Sequence, residues 1–180
     1  MGSPRDYKNT IVPNWCPGCG DFGIQNAIAA VCAAKGWPNE DIVLISGIGC
    51  SSRIGGYQYC YGAHTTHGRA LPFAQGIKCA NKDTHLIVCS GDGDSYAIGL
   101  GHALHAMKRN MDITYIVFDN QVYGLTKGQT SPASSKGFVT KTTPDGNPLT
   151  PLDAPSMALA AGATFVAQSY AIDGKGMIDI

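Results

Sequence analysis

Four consecutive residues, Gly91-Asp92-Gly93-Asp94, stand where an apolar run gives way to a helical pattern. They are the part of this chain best suited to hold a phosphate. Glycines at a strand end let the backbone approach an anion closely, and the N–H groups of the first helical turn point at it. An acidic side chain there would repel a phosphate unless a cation lay between them. Asp92 therefore reads as a Mg²⁺ ligand, because Mg²⁺ takes octahedral oxygen coordination and commonly bridges one or two protein groups to a diphosphate. A second oxygen ligand should come from the end of a neighbouring strand, and Asn120 stands there, just past Ile113–Phe118. Taken alone, GDG is also an ordinary turn. The strand before it, the helix after it and the second strand ending in Asp-Asn turn the reading towards a cofactor site.

The cysteines form a second constellation. Trp15-Cys16-Pro17-Gly18-Cys19-Gly20 is a C-x-x-C in a tight loop, suited to bring two thiolates onto one metal or cluster. Cys50 follows a strand end in Gly47-Ile48-Gly49-Cys50-Ser51-Ser52, again beside glycine. Cys32 and Cys79 fall in helices and Cys89 in a core strand, where cysteine usually serves as a small buried hydrophobe. Cys60, among Tyr57, Tyr59 and Tyr61, has no assigned role. A zinc module or a C-x-x-C redox pair would also explain Cys16 and Cys19 alone.

These residues need a scaffold that brings strand ends together. Helical stretches are expected over Asp21–Ala34, Leu71–Ala80, Ser95–Arg109 and Asp153–Ala161. Strands are expected over Ile42–Ser46, His85–Ser90, Ile113–Phe118 and Thr164–Gln168. The strands are continuous apolar runs, as in a parallel sheet covered on both faces, and their alternation with helices predicts an α/β fold. A long Lys-, Thr-, Ser- and Pro-rich loop is expected from Thr126 to Pro155, a length usually tied to function. The 180 residues suit a single domain over 1–180, and the final helical pattern reads as a fold continuing beyond Ile180.

Lys plus Arg equals Asp plus Glu, which argues against nucleic acid or an anionic membrane surface as partner. No apolar run is long enough to cross a bilayer, and the polar first residues lead to no expectation of a secretory leader. Seven cysteines without such a leader fit a reducing, cytoplasmic setting.

Five motifs, WCPGCGDFG, SGIGCSSR, THGRALPFAQGIK, GDGD and DNQVYGLTKGQTSP, occur in that order. Together they resemble the β subunits of 2-oxoacid:ferredoxin oxidoreductases, from about Asp6 to the last residues. The resemblance implies a thiamine-diphosphate-binding fold. It implies Mg²⁺ held by side-chain oxygens of Asp92 and Asn120 and the carbonyl of Val122. It also implies a 4Fe-4S cluster on Cys16, Cys19 and Cys50, with the fourth ligand in a later segment. The implied cofactor-lining residues are Ile48, Gly49, Cys50, Ser51, His67, Gly91, Asp92, Gly93, Asp94, Asn120, Val122, Gly124 and Leu125.

The implied reaction is CoA-dependent oxidative decarboxylation of a 2-oxo acid with reduction of ferredoxin, or the reverse carboxylation. 2-Oxoglutarate is favoured and pyruvate comes next. Arg53 suits a 2-oxoacid carboxylate or CoA, His67 matches the HGR motif, and Leu125 and Lys127 stand at the substrate end of the Mg²⁺ loop. His64 could line the thiazolium pocket or cap the next helix, and His102 and His105 read more readily as helical side chains. Glu40, the chain's one glutamate, lies in a surface-like turn. The carboxylate that activates the aminopyrimidine is therefore expected from an α subunit, and this chain alone is expected to be inactive. Two other readings stay open: a non-redox thiamine decarboxylase or carboligase, and a zinc-bearing α/β binding module.

Overall fold

The computed structural model describes residues 2–180. Four parallel strands form one sheet: β1 (Ile42–Ser46), β2 (Tyr61–His64), β3 (His85–Gly91) and β4 (Thr114–Phe118), in the order β2-β1-β3-β4. β1 and β3 are the central strands and are almost wholly buried, which explains their unbroken apolar sequences. The register aligns the carboxyl ends: Ser46 pairs with His64 and Cys89, and Gly91 pairs with Phe118.

Helices cover both faces. Helix α1 (Asp21–Lys35) has Asp21 in its first turn and Lys35 in its last, both complementing the helix dipole. It ends at Gly36, whose left-handed φ of 65° lets its N–H reach the Ala33 carbonyl. On this face Tyr7, Trp15, Ile28, Ala29 and Cys32 pack over Leu44, Ile87 and Cys89. On the other face α2 (Ala70–Ala80) and α3 (Leu100–Arg109) close over Ile45, Leu86 and Val88 through Leu71, Ala74 and Ala103.

Three local expectations differ from the structure. The helix expected from Ser95 begins with a π-turn, Asp94–Ile98, before α3. A Cβ on Gly99 would stand 2.4 Å from the Asp94 carbonyl and one on Gly68 2.7 Å from the Gly99 nitrogen, so the wide turn is matched by glycine on both sides. Thr164–Gln168 joins no sheet; Phe165 is 70% exposed, and Thr164 is instead bound to Asn110. The edge strand β2 was not apparent in the sequence, because Tyr61-Gly62-Ala63-His64 is exposed and lacks an apolar run. Its Gly62 is required by the close pairing, since a Cβ there would lie 2.4 Å from the Leu44 carbonyl.

The long loop is largely without regular structure. A short hairpin, β5 (Val122–Tyr123) with β6 (Gln129–Thr130), leads into it. Helix α4 (Ala154–Ala161) follows, capped by the Asp153 side chain on Ser156 N–H, and then α5 (Gly174–Asp179). The loop's serines fold back onto the carboxyl ends of the sheet.

Candidate functional site

From β1 the chain moves outward to β2 and returns to β3 on the other side of β1. The β1–β3 boundary is thus the switch point, the position where open α/β sheets bind ligands outside their strand ends. The loop after β1 (residues 47–50), the GDGD turn after β3 and the Asp119–Val122 loop after β4 converge there. A Cβ on Gly91 would stand 3.3 Å from Ser51 Oγ, and one on Gly47 would fall on the Asp94 carboxylate, so these loops meet without room for a side chain.

Asp92 is 1% exposed. Burial raises its carboxyl pKa, the charge of Asp119 adds to this, and a hydrogen bond donated by Ser131 Oγ opposes it. A buried carboxylate held above its ordinary range is a group that gains from a cation, as a bound Mg²⁺ would provide. Asn120 is exposed, and its Oδ1 accepts the Val122 N–H at 3.2 Å, holding the loop in a tight turn in which Gln121 takes a left-handed φ of 59°. The Val122 carbonyl accepts Gly124 N–H at 3.0 Å. Ser134 Oγ donates to the Gln121 carbonyl at 2.5 Å, so one serine segment holds both Asp92 and the Asn120 loop. Sequence reasoning passed over Ser131, although it sits one residue past the hairpin in a motif already singled out.

Asp94 plays a different part from Asp92. It is 3% exposed and accepts hydrogen bonds from Ser90 Oγ and from Gly68 N–H (2.7 Å), and it pairs with His67 Nδ1. The His67 ring stands edge-on to Tyr123 at 6.3 Å, and the Tyr123 hydroxyl donates to the Gly93 carbonyl at 3.1 Å. Gly93 must stay small because the Tyr123 ring occupies the space of its Cβ. Asp94 and His67 therefore tie the start of α2 to the Gly91–Asp94 turn. His64, by contrast, is exposed and pairs with Ser46 Oγ at 3.0 Å.

Ile48 and Gly49 lie half-buried in the loop after β1, and Gly49 adopts a φ of 126° that strongly favours glycine. Gly124, Leu125 and Lys127 are exposed in the turn after β5, where Lys127 has a left-handed φ of 78°. Arg53 is exposed on the 3₁₀ turn Ser51–Gly56.

The cysteine loops share one corner of this site. Cys16 is exposed while Cys19 and Cys50 are half-buried, and Cys19 N–H donates to the Cys16 carbonyl at 3.0 Å. Trp15 Nε1–H donates to the Cys50 carbonyl at 2.7 Å, joining the two loops. Burial raises the Cys50 thiol pKa; Asp21 and Cys16 add to this and Arg53 counters it. Burial likewise raises Cys19. Among the described residues no three His, Cys, Asp or Glu side chains converge as a single-ion site. A cluster asks less, because its thiolates bind separate irons. Burial pushes Cys32 and the half-buried Cys60 up to about 11 and raises Cys89 further, which disfavours the thiolate form in each.

Residues 47–177, which contain every strand-end loop just described, match the family described as thiamine pyrophosphate enzyme, C-terminal TPP binding domain. The chain belongs to that family. The donor set of this thiamine pyrophosphate enzyme domain fits the cofactor: a buried carboxylate for Mg²⁺ and a glycine turn at a helix start for diphosphate. The chain is also 45% identical over 176 residues to the 2-oxoglutarate oxidoreductase subunit KorB of Mycobacterium tuberculosis, covering 98% of this chain and 47% of that protein. It is 47% identical over 169 residues to the 2-oxoacid:ferredoxin oxidoreductase subunit beta of Saccharolobus solfataricus, covering 93% and 55%.

A solved structure, 2-oxoglutarate:ferredoxin oxidoreductase from Magnetococcus marinus with 2-oxoglutarate, coenzyme A and succinyl-CoA bound, superposes with a TM-score of 0.97 at 43% identity. That match covers 99% of this chain and 61% of the other. The resemblance read from five short motifs thus extends over nearly the whole chain. The chain spans about half the length of the curated relatives it matches. No helix among the described residues is long and apolar enough to cross a membrane.

Proposed function

We propose that this chain is the thiamine-diphosphate-binding part of a 2-oxoacid:ferredoxin oxidoreductase β subunit. The reaction is CoA-dependent oxidative decarboxylation of a 2-oxo acid to an acyl-CoA and CO₂, or the reverse carboxylation, with ferredoxin as electron partner. 2-Oxoglutarate is the favoured substrate and pyruvate the next; the names of the relatives and the ligands of the similar structure support this order. Bound thiamine diphosphate supplies the decarboxylation chemistry and a 4Fe-4S cluster the one-electron steps.

In this reading Asp92, Asn120 and the Val122 carbonyl hold Mg²⁺, and Cys16, Cys19 and Cys50 hold three irons. The turn Gly91–Asp94 receives the diphosphate, while Ile48, Gly49 and Ser51 line the cofactor on the β1 side. Asp94 keeps His67 facing the cofactor crevice. Arg53, Leu125 and Lys127, exposed around the same opening, orient the 2-oxo acid or CoA. An α subunit completes the site, since Glu40, on the 3₁₀ turn Asn39–Asp41 before β1, lies at the opposite end of the strand from the cofactor loops. The seven unpaired thiols suit a reducing cytoplasm.

The observation that carries this reading is the nearness of Cys50 to the Asn120–Gly124 loop, which supports a thiol ligand beside the proposed Mg²⁺ ligands. The test is the cofactor content of the complete α/β complex prepared without oxygen. The wild type is expected to retain thiamine diphosphate, Mg²⁺, iron and acid-labile sulfide, and Asp92→Ala to lose the thiamine. Unchanged thiamine affinity in Asp92→Ala would rule out the Mg²⁺ role. Thiamine without acid-labile sulfide would favour the non-redox decarboxylase.

A further inference from the structure

The Cys16–Cys19 loop and Cys50 belong to different elements, and a cluster shared between them needs their spacing fixed. The first loop has little to fix it from within: Cys16, Pro17 and Gly18 are exposed, and Gly18 has a left-handed φ of 79°. The residue preceding Cys16 is anchored instead. Trp15 is 7% exposed and stands edge-on to Phe22 at 5.2 Å and to Tyr57 at 5.0 Å. Tyr57 also holds Asn14, through a hydroxyl that donates to Asn14 Oδ1 at 2.7 Å and accepts Asn14 N–H at 3.3 Å.

The indole has one donor and no acceptor, and a buried indole N–H is costly unless paired. Here it donates to the Cys50 main-chain carbonyl at 2.7 Å. That carbonyl also accepts Arg53 N–H at 3.3 Å, so both its lone pairs are used and the peptide after Cys50 is held in orientation. The Trp15 bond thus restrains the main chain from which the Cys50 side chain projects.

We propose that Trp15 is a positioning residue for the iron–sulfur cluster, its indole N–H locking Cys50 in place relative to the Cys16–Cys19 loop. This rests on the ligation by Cys16, Cys19 and Cys50 argued above and adds a residue that touches no iron. Partners that orient a ligand typically contribute about 10–100-fold to metal retention, and hydrogen bonding near a cluster tunes its electronic properties.

The experiment uses the complete α/β complex prepared without oxygen, carrying Trp15→Phe. This change keeps an aromatic ring against Phe22 and Tyr57 and removes the N–H. A second variant replaces Trp15 with its sulfur isostere benzothienylalanine, which keeps the full ring shape. Both are expected to lose iron to a chelator about 10-fold or more faster than wild type. Both should also change the line shape of the reduced cluster's electron paramagnetic resonance signal, with thiamine diphosphate content unchanged. Tyr7→Phe is the control: it removes a hydroxyl that donates to the Trp37 carbonyl at 2.8 Å in the same core, away from the cysteine loops. It should lower the melting temperature and leave the signal and the chelation rate as in wild type.

Wild-type signal and cluster retention in both Trp15 variants would overturn the inference, as would an equal change in Tyr7→Phe. A wild-type complex devoid of iron and sulfide would instead overturn the underlying assignment of the cysteines.

Discussion

The sulfur of Cys50 lies 3.8 Å from the point where a side chain on Gly124 would begin, and the side-chain nitrogen of Asn120 lies 3.5 Å from the same point. A proposed cluster ligand and a proposed Mg²⁺ ligand thus meet across a glycine that leaves the space between them open. Both distances are ordinary van der Waals contacts, so small groups at this exposed position are accommodated. Gly124→Leu is expected to fold and to retain both cofactors while slowing turnover, because a branched side chain parts the Cys50 and Asn120 loops. Normal cofactor content with a several-fold lower rate in steady-state assays of the α/β complex would bear this out; an unchanged rate would not.

Under the proposed Mg²⁺ role, Asp92 would link cofactor binding to pH. Its folded pKa is raised, chiefly by burial, so its contribution to stability is present below the unfolded carboxylate value and is lost as pH rises through the folded one. The cofactor-free protein should therefore gain stability on acidification from neutral pH towards the carboxylate range. Asp92→Asn should remove that gain and raise the melting temperature of the cofactor-free protein at neutral pH. The same substitution should weaken Mg²⁺-dependent thiamine diphosphate binding about 10–150-fold, the equivalent of ~1.5–3 kcal/mol for an interaction with a charged group. Thermal melts across pH, paired with calorimetric titration of the complex, measure both effects.

Ser131 supplies the side-chain hydroxyl that Asp92 accepts. Ser131→Ala leaves a buried carboxylate short of a donor, which costs about 1–3 kcal/mol. Urea unfolding should show a lower midpoint with an unchanged slope, and Mg²⁺ with thiamine diphosphate should restore part of the loss.

Glycines in this fold differ sharply in what they tolerate. A Cβ on Gly47 would stand 1.8 Å from Asp94 Oδ2, and Asp94 is pinned by Ser90, Gly68 and His67. Gly47→Ala is expected to destabilise by about 1–3 kcal/mol or more, as overpacking does. Gly101 in α3 has nothing within 4 Å of its Cβ position, so Gly101→Ala should stabilise by roughly 0.5–1 kcal/mol. Denaturant midpoints of the two variants on opposite sides of wild type are the expected result.

Much of this was legible in the chain because buried parallel strands write themselves as apolar runs. Ile42–Ser46 was read residue for residue, and His85 and Phe118 were read correctly as strand ends. Asp92 could be singled out because a carboxylate in a glycine turn at a strand end calls for a partner; its burial is what the structure adds. The edge strand Tyr61–His64 was not, since its pairing comes from β1 and not from its own apolarity. Thr164–Gln168 has strand-like residues but no strand partner, a fact no local pattern reveals. The roles of Ser131 and Asp94 depend on contacts between distant segments. The sequence could mark both residues as polar and near the site, but not say which groups they would touch.

The most direct test of the central claim is an oxygen-free assay of the complete α/β complex for CoA-dependent viologen reduction, with 2-oxoglutarate, pyruvate and branched 2-oxo acids in parallel. Reduction that requires both CoA and a 2-oxo acid, fastest with 2-oxoglutarate, is the predicted result. No reduction with any of these acids, in protein shown to hold thiamine diphosphate and an iron–sulfur cluster, would contradict the account.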